Sequence, residues 1–351
     1  MCRGGDGAVD GRPAEAAHID CMNDAESPRQ PSGHRFEPPR TWSANAGQVR
    51  QVGVEIEFMG VGVSTSAEAL CRALGGAVVE EDPQSFAVRG TSLGNLTVEL
   101  DTRYVHPGKH GRSLPVHLGR RSAAWLGVAL SRVVPRELVV APLPPERLGL
   151  VDQAVAVLRA AGARGRGTSW LGSLGLHFNV DPPSLEVDTL LGYLRAFLLL
   201  EPWLRRETFR AARWRRGLLL PAEYPAGYVR RVLAPDYRPD LAGFADDYLK
   251  ANPTRDRALD LLPVLLHLDK ARVRARLPFE KIGPRPALHY RLPWAQVGAP
   301  KWSILPDWQR WLAVERLAGD PVRLEALSLA FLRFAGSTAQ WGQRAGEPGC
   351  P

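Results

Sequence analysis

The chain has 351 residues, 45% hydrophobic and 23% charged, with a net charge of +8. These are globular proportions: they exclude a wholly disordered or fibrous protein, and at about 150 residues per domain they allow two domains or one large one. Only five of the 45 basic residues are lysine, a skew expected of a GC-rich genome and equally suited to fork-like binding of phosphate or carboxylate.

Residues 1–47 are rich in Gly, Pro, Ser, Asp and Arg, without hydrophobic periodicity, and are expected to form a disordered tail in which Met22 is an alternative start. Gln51–Phe58 alternates apolar and polar residues and predicts a strand. A short helix over Ala67–Leu74 follows, with Ser66 as N-cap and Gly75-Gly76 as its stop. Strands are expected at Ala77–Glu80, Ser85–Arg89 and Leu96–Asp101, the last two as a hairpin. Glu137–Ala141 predicts a strand stopped by Pro142, Glu146–Ala161 a helix, and Leu176–Val180 a strand.

Leu185–Arg216 has helical spacing with a kink at Pro202. Its apolar stretch Leu190–Leu200 is broken by Arg195 and falls short of a membrane span. Leu220–Tyr237 reads as irregular, Asp256–Leu277 as a helix that bends at Pro263 or starts late because of it, Ala287–Arg291 as a closing strand, and Asp307–Phe334 as two helices. Residues 336–351 read as a frayed end, leaving 48–335 as the folded domain. Strands early and helices late predict an α+β fold, an antiparallel sheet with an acidic face backed by helices. A cytoplasmic protein is expected, because no leader or spanning segment is evident and the four cysteines form no disulfide or zinc pattern.

Glu55 and Glu57 are two apart on a strand, so their carboxylates share one face while Val54, Ile56 and Phe58 share the other. Adjacent anions repel unless one is protonated or a cation lies between them, and a hard divalent ion such as Mg²⁺ or Mn²⁺ is the natural partner. Spacing alone also fits a solvated strand face. Glu99 and Asp101 repeat the pattern, Glu137 heads another strand, and His177 with Asn179 lies on a fourth. Four such strands in one sheet would line a face with metal-binding groups.

Val-Gly-Val-Glu-Ile-Glu-Phe58, Glu-Leu-Val-Val-Ala-Pro-Leu-Pro144, Gly-Leu-His-Phe-Asn-Val180 and His-Tyr-Arg-Leu-Pro293 resemble, in that order, the motifs of the amidoligase family, over about Arg50–Phe334. That family is grouped with the glutamine synthetase-like carboxylate–amine ligases. The resemblance implies a glutamine synthetase-like catalytic fold whose acidic face binds ATP with Mg²⁺ or Mn²⁺. A small-molecule or peptide carboxylate would be phosphorylated and an amine would attack the acyl phosphate. It places metal ligands at Glu55, Glu57, Glu99, Glu137 and His177, nucleotide contacts at His177, Asn179 and Arg291, and catalytic roles at Glu57 and Arg291. Asn179 stands where relatives often carry a second histidine. The alternative is a non-catalytic nucleotide- or peptide-binding module of the same fold.

Other features have plainer readings. No GxxxxGK[ST] occurs, which excludes a P-loop. The arginine run Arg205–Arg216 spreads around a helix and fits a solvated face better than a nucleic-acid surface. His106, Lys109, His110 and Arg112 form a polar loop, Trp294, Trp302, Trp308 and Trp311 read as packing, and Cys71 as a buried small residue. Oligomeric state is left open.

Overall fold

The computed structural model describes residues 47–101, 134–165, 174–210, 220–334 and 337–344. Its strands are β1 (Val52–Phe58), β2 (Ala77–Asp82), β3 (Ser85–Thr91), β4 (Gly94–Leu100), β5 (Arg136–Leu143), β6 (Leu176–Val180), β7 (Leu259–Asp260) and β8 (Leu288–Tyr290). They form one sheet in the order β2-β3-β4-β5-β1-β6-β8-β7, and every adjacent pair is antiparallel. The helices are α1 (Val63–Leu74), α2 (Gly149–Ala160), α3 (Val187–Thr208), α4 (Ala226–Leu233), α5 (Leu241–Ala251), α6 (Leu262–Leu268), α7 (Lys270–Arg276), α8 (Leu305–Ala318), α9 (Pro321–Arg333) and α10 (Thr338–Arg344). The fold is therefore α+β.

Strand alternation sorts the two faces. Val54, Ile56 and Phe58 of β1, Leu138 and Val140 of β5, Val98 of β4 and Phe178 of β6 are all buried in one apolar core. Helices α3 and α8 cover the β6–β8 end of that face: Phe178 packs on Trp308, and Tyr290 on Phe197 and Trp311. Trp294, Trp308 and Trp311 are buried and Trp302 is partly so, which fits the packing role expected of them. Beneath the sheet, Arg50 donates to both carboxylate oxygens of Glu315 (3.0 and 2.7 Å) and to Asp181 O (2.6 Å). Tyr193 and Trp311 also donate to Glu315, tying the start of β1 to α3 and α8.

Several local expectations are corrected. Helix α1 starts at Val63, so Ser66 is inside the helix and donates its hydroxyl to Gly62 O (2.7 Å) instead of capping. Pro142 does not stop β5: Ala141 and Pro142 stand opposite Gly53 in a bulge, where a proline removes no ladder hydrogen bond. The Asp256–Leu277 helix breaks up into β7, α6 and α7. Pro263 lies in the first turn of α6, where its missing N–H costs nothing, so no helix runs through it from Asp256. The Leu220–Tyr237 stretch contains α4, and α5 follows it without having been anticipated.

The frayed end expected from residue 336 contains α10, whose Trp341 is buried and donates to Leu199 O (2.9 Å) beside Pro202 of α3. Cys71 is half-buried and its thiol donates to Gly76 O (3.3 Å). Arg205 is held by Glu201 and by Pro221 O. The N-terminal tail, the His106–Arg112 loop and Arg213–Arg216 lie outside the described residues. No helix among the described residues is long and apolar enough to cross a membrane.

Candidate metal centre

The sheet face opposite the core carries the polar side chains. On its central strands Glu99 pairs with Glu137, and Glu137 with Glu57, in a single cross-strand row. One step along, Glu55 pairs with His177, Gly53 with Asn179, Asn179 with His289, and His289 with Asp260. Arg291 follows His289 by two residues and so projects to the same face. All the residues singled out from the sequence thus lie on this face. Asp101 sits just past β4, 3.8 Å from Lys281.

Two groups are close enough to share an ion. Ligand atoms of Glu55, His177 and His289 lie within 4.8 Å of one another, and so do those of Glu57, Glu137 and His177. Glu55 Oε1 accepts from Asn179 Nδ2 (3.0 Å) and from Arg285 Nη1 (2.5 Å), while Oε2 faces His177 Nδ1 (3.3 Å) and His289 Nε2 (3.7 Å). Glu57 accepts from Gly175 N (2.8 Å). A side chain at Gly175 would run into His177 Nε2, so the glycine makes room for the imidazole.

His289 is 3% exposed, and neither of its ring nitrogens has a hydrogen-bond partner among the described residues. Asp260 Oδ2 lies 3.5 Å from His289 Nδ1. A carboxylate behind a histidine, with the other ring nitrogen aimed at further donors, is the arrangement that orients a metal-binding imidazole. Arg291 Nη1 donates to Arg255 O (2.8 Å), and its Nε is buried without a partner among the described residues.

Protonation follows from these surroundings. Burial alone would raise the Glu55 pKa, but the facing imidazoles of His177 and His289 and the charge of Arg285 hold it well below the ordinary carboxylate range. Glu57 is pushed up to about 7, first by burial and then by the charge of Asp101. Glu137 is raised well above the ordinary value by burial and by the charges of Glu55, Asp101, Glu57 and Glu99. Burial lowers His177 to about 4. Near neutral pH the face therefore offers the neutral imidazole of His177 beside the carboxyl groups of Glu57 and Glu137, a donor set suited to divalent ions.

Three residues of the site escaped the sequence reading. His289 was legible: it alternates with Arg291, as His177 does with Asn179. Asp260 was not, because a two-residue strand has no period. Arg285 arrives from a Pro-Arg-Pro loop with no strand or helix pattern at all.

An antiparallel sheet with one face in the core and the other lined by acids, imidazoles and arginine defines an α+β protein with a candidate divalent-metal centre. Residues 48–313 match the family described as "putative amidoligase enzyme", and the chain belongs to that family. Membership supports a ligase activity, the joining of a carboxylate and an amine. Comparison with curated proteins finds no match.

Proposed function

We propose that the chain is an ATP- and Mg²⁺-dependent carboxylate–amine ligase that works through an acyl phosphate on a glutamine synthetase-like fold. One observation carries this reading: a single sheet face brings Glu57, Glu137 and His177, and Glu55, His177 and His289, into two groups of ion-binding size that share His177, with Glu99 across from Glu137. Mg²⁺, or Mn²⁺ in its place, suits the two carboxyl groups of Glu57 and Glu137, with His177 as the third member of that group and Glu99 across from Glu137. Glu55, His177 and His289 offer a second, nitrogen-richer group, with Asp260 orienting His289. Ions held by these residues would offset the charge that develops during phosphoryl transfer.

The chain's own residues supply the rest. Arg291 brings a permanent, forked charge to the same face, suited to phosphate or to the carboxylate being activated. Asn179 fixes Glu55 through its amide and so sets the direction of that ligand. Glu57, anchored by Gly175 N, presents its second oxygen to the centre of the row. The reactants are a small-molecule or peptide carboxylate, an amine and the nucleotide.

The test needs no knowledge of the acid or amine. Melting temperature is measured with and without Mg²⁺ plus a non-hydrolysable ATP analogue, for wild type and for the folded Glu55→Ala/Glu57→Ala variant. A ligand that binds only the native state at 100 times its Kd adds about 2.7 kcal/mol. The expected result is a rise in wild type that is lost in the variant. No rise in wild type at millimolar ligand overturns the reading and favours the non-catalytic module.

A further inference from the structure

Arg285 sits in the segment between α7 and β8. Its backbone is held: Arg285 N donates to Pro263 O (3.1 Å), and Arg274 donates to the carbonyls of Leu277, Glu280 and Ile282 (3.4, 2.8 and 2.9 Å). Pro284 and Pro286 stiffen the chain on either side. Its side chain is different. It is 45% exposed, and Nη1 alone donates to both Glu55 Oε1 (2.5 Å) and Asn179 Oδ1 (2.8 Å).

The guanidinium therefore occupies one oxygen of the same carboxylate whose other oxygen faces His177 and His289. A divalent ion held by Glu55, His177 and His289 would lie within a few ångströms of a fixed positive charge, and two cations that close repel strongly in a partly buried site. One must give way. The ion's ligands are held in the sheet, whereas Arg285 has four side-chain torsions and open space. A nucleotide phosphate held by an ion on Glu55 would bring an anion within reach of the displaced guanidinium.

We propose, resting on the metal–nucleotide reading above, that Arg285 is a movable counter-cation. It holds Glu55 and Asn179 in the metal-free protein, yields Glu55 to a divalent ion, and turns to the terminal phosphate of the nucleotide. A forked, always-charged side chain suits both partners, a carboxylate and then a phosphate.

The experiment uses the full chain and Arg285→Gln at pH 8, with Mn²⁺ alone followed by the ATP analogue AMP-PNP on Mn²⁺-saturated protein, both by calorimetry. Arg285→Gln is expected to bind Mn²⁺ about tenfold more tightly and AMP-PNP about tenfold more weakly, one charge-assisted hydrogen bond in each direction. Arg285→Lys keeps the charge without the fork, so it should hold Mn²⁺ affinity near wild type while still weakening AMP-PNP. Either affinity unchanged in Arg285→Gln, or both moving the same way, overturns the proposal. A wild type that binds no Mn²⁺ instead overturns the metal reading beneath it.

Discussion

Glu57 on β1 stands directly across from Glu137 on β5, and Glu99 on β4 faces Glu137 from its other side. Like charges in direct cross-strand register destabilise a sheet. The protein lessens the repulsion by holding protons: Glu57 is pushed up to about 7 and Glu137 well above the ordinary range, in each case by burial first and neighbouring carboxylates second.

A divalent ion must displace those protons. Mn²⁺ affinity should therefore rise with pH, by up to about tenfold per unit for each proton released, most steeply below about pH 7 where Glu57 is protonated. Calorimetric titrations at several pH values in buffers of different ionisation enthalpy would count the protons. An affinity that stays level across that range would mean that these carboxyls are not ligands.

The same shift has a stability consequence. Glu57 is pushed up to about 7 in the fold from an ordinary 4.5, so its contribution is full below 4.5 and is lost as pH rises through about 7. Glu57→Gln removes that loss, and glutamine can still accept from Gly175 N. The metal-free variant should be more stable than wild type at pH 8 by about 1–3 kcal/mol, with the gap closing toward pH 5. Urea unfolding at both pH values checks this. A destabilised variant at pH 8 would show that the ionised carboxylate is better accommodated than its surroundings indicate.

Asp260 touches His289 and none of the other proposed ligands. Asp260→Asn keeps the Oδ1 acceptor that caps Leu262 N (2.9 Å) but removes the charge behind the imidazole. Mn²⁺ affinity should fall by about tenfold or more with the far-ultraviolet circular dichroism unchanged. If affinity holds, Asp260 serves the sheet edge only.

Away from this face, Glu315 receives Arg50, Tyr193 and Trp311 and is itself buried. Glu315→Gln removes the buried carboxylate that pairs with the Arg50 guanidinium, itself 1% exposed. The expected cost is about 3–5 kcal/mol of unfolding free energy, measured in urea, with Mn²⁺ affinity of the folded protein unchanged. A loss under about 1 kcal/mol would show that Asp181 O and local rearrangement suffice for Arg50.

Much of the candidate metal-binding face could be read from alternation. A period of two puts Glu55 with Glu57 and His177 with Asn179 whatever the strands' neighbours are, because successive side chains on any strand point to opposite faces. The long apolar helices late in the chain were legible for the same reason, through their own period. Pro142 misled, whereas at Pro263 the late start is what the fold adopts, since what a proline does depends on whether its position needs an N–H. In a bulge and in a first helical turn it does not.

By itself, then, the sequence determined which residues share a face within each strand, and the order of motifs that marks the family. Only the tertiary structure decided the neighbours. The strand order β5-β1-β6-β8-β7 brings Glu137, Glu57, Glu55, His177, His289 and Asp260 side by side although up to 234 positions separate them. The bend after α7 sets Arg285 against Glu55 across 230 positions. Local periodicity is a property of the backbone and is written along the chain. Lateral pairing is chosen by burying the apolar face under α3 and α8, a choice made by the whole fold at once.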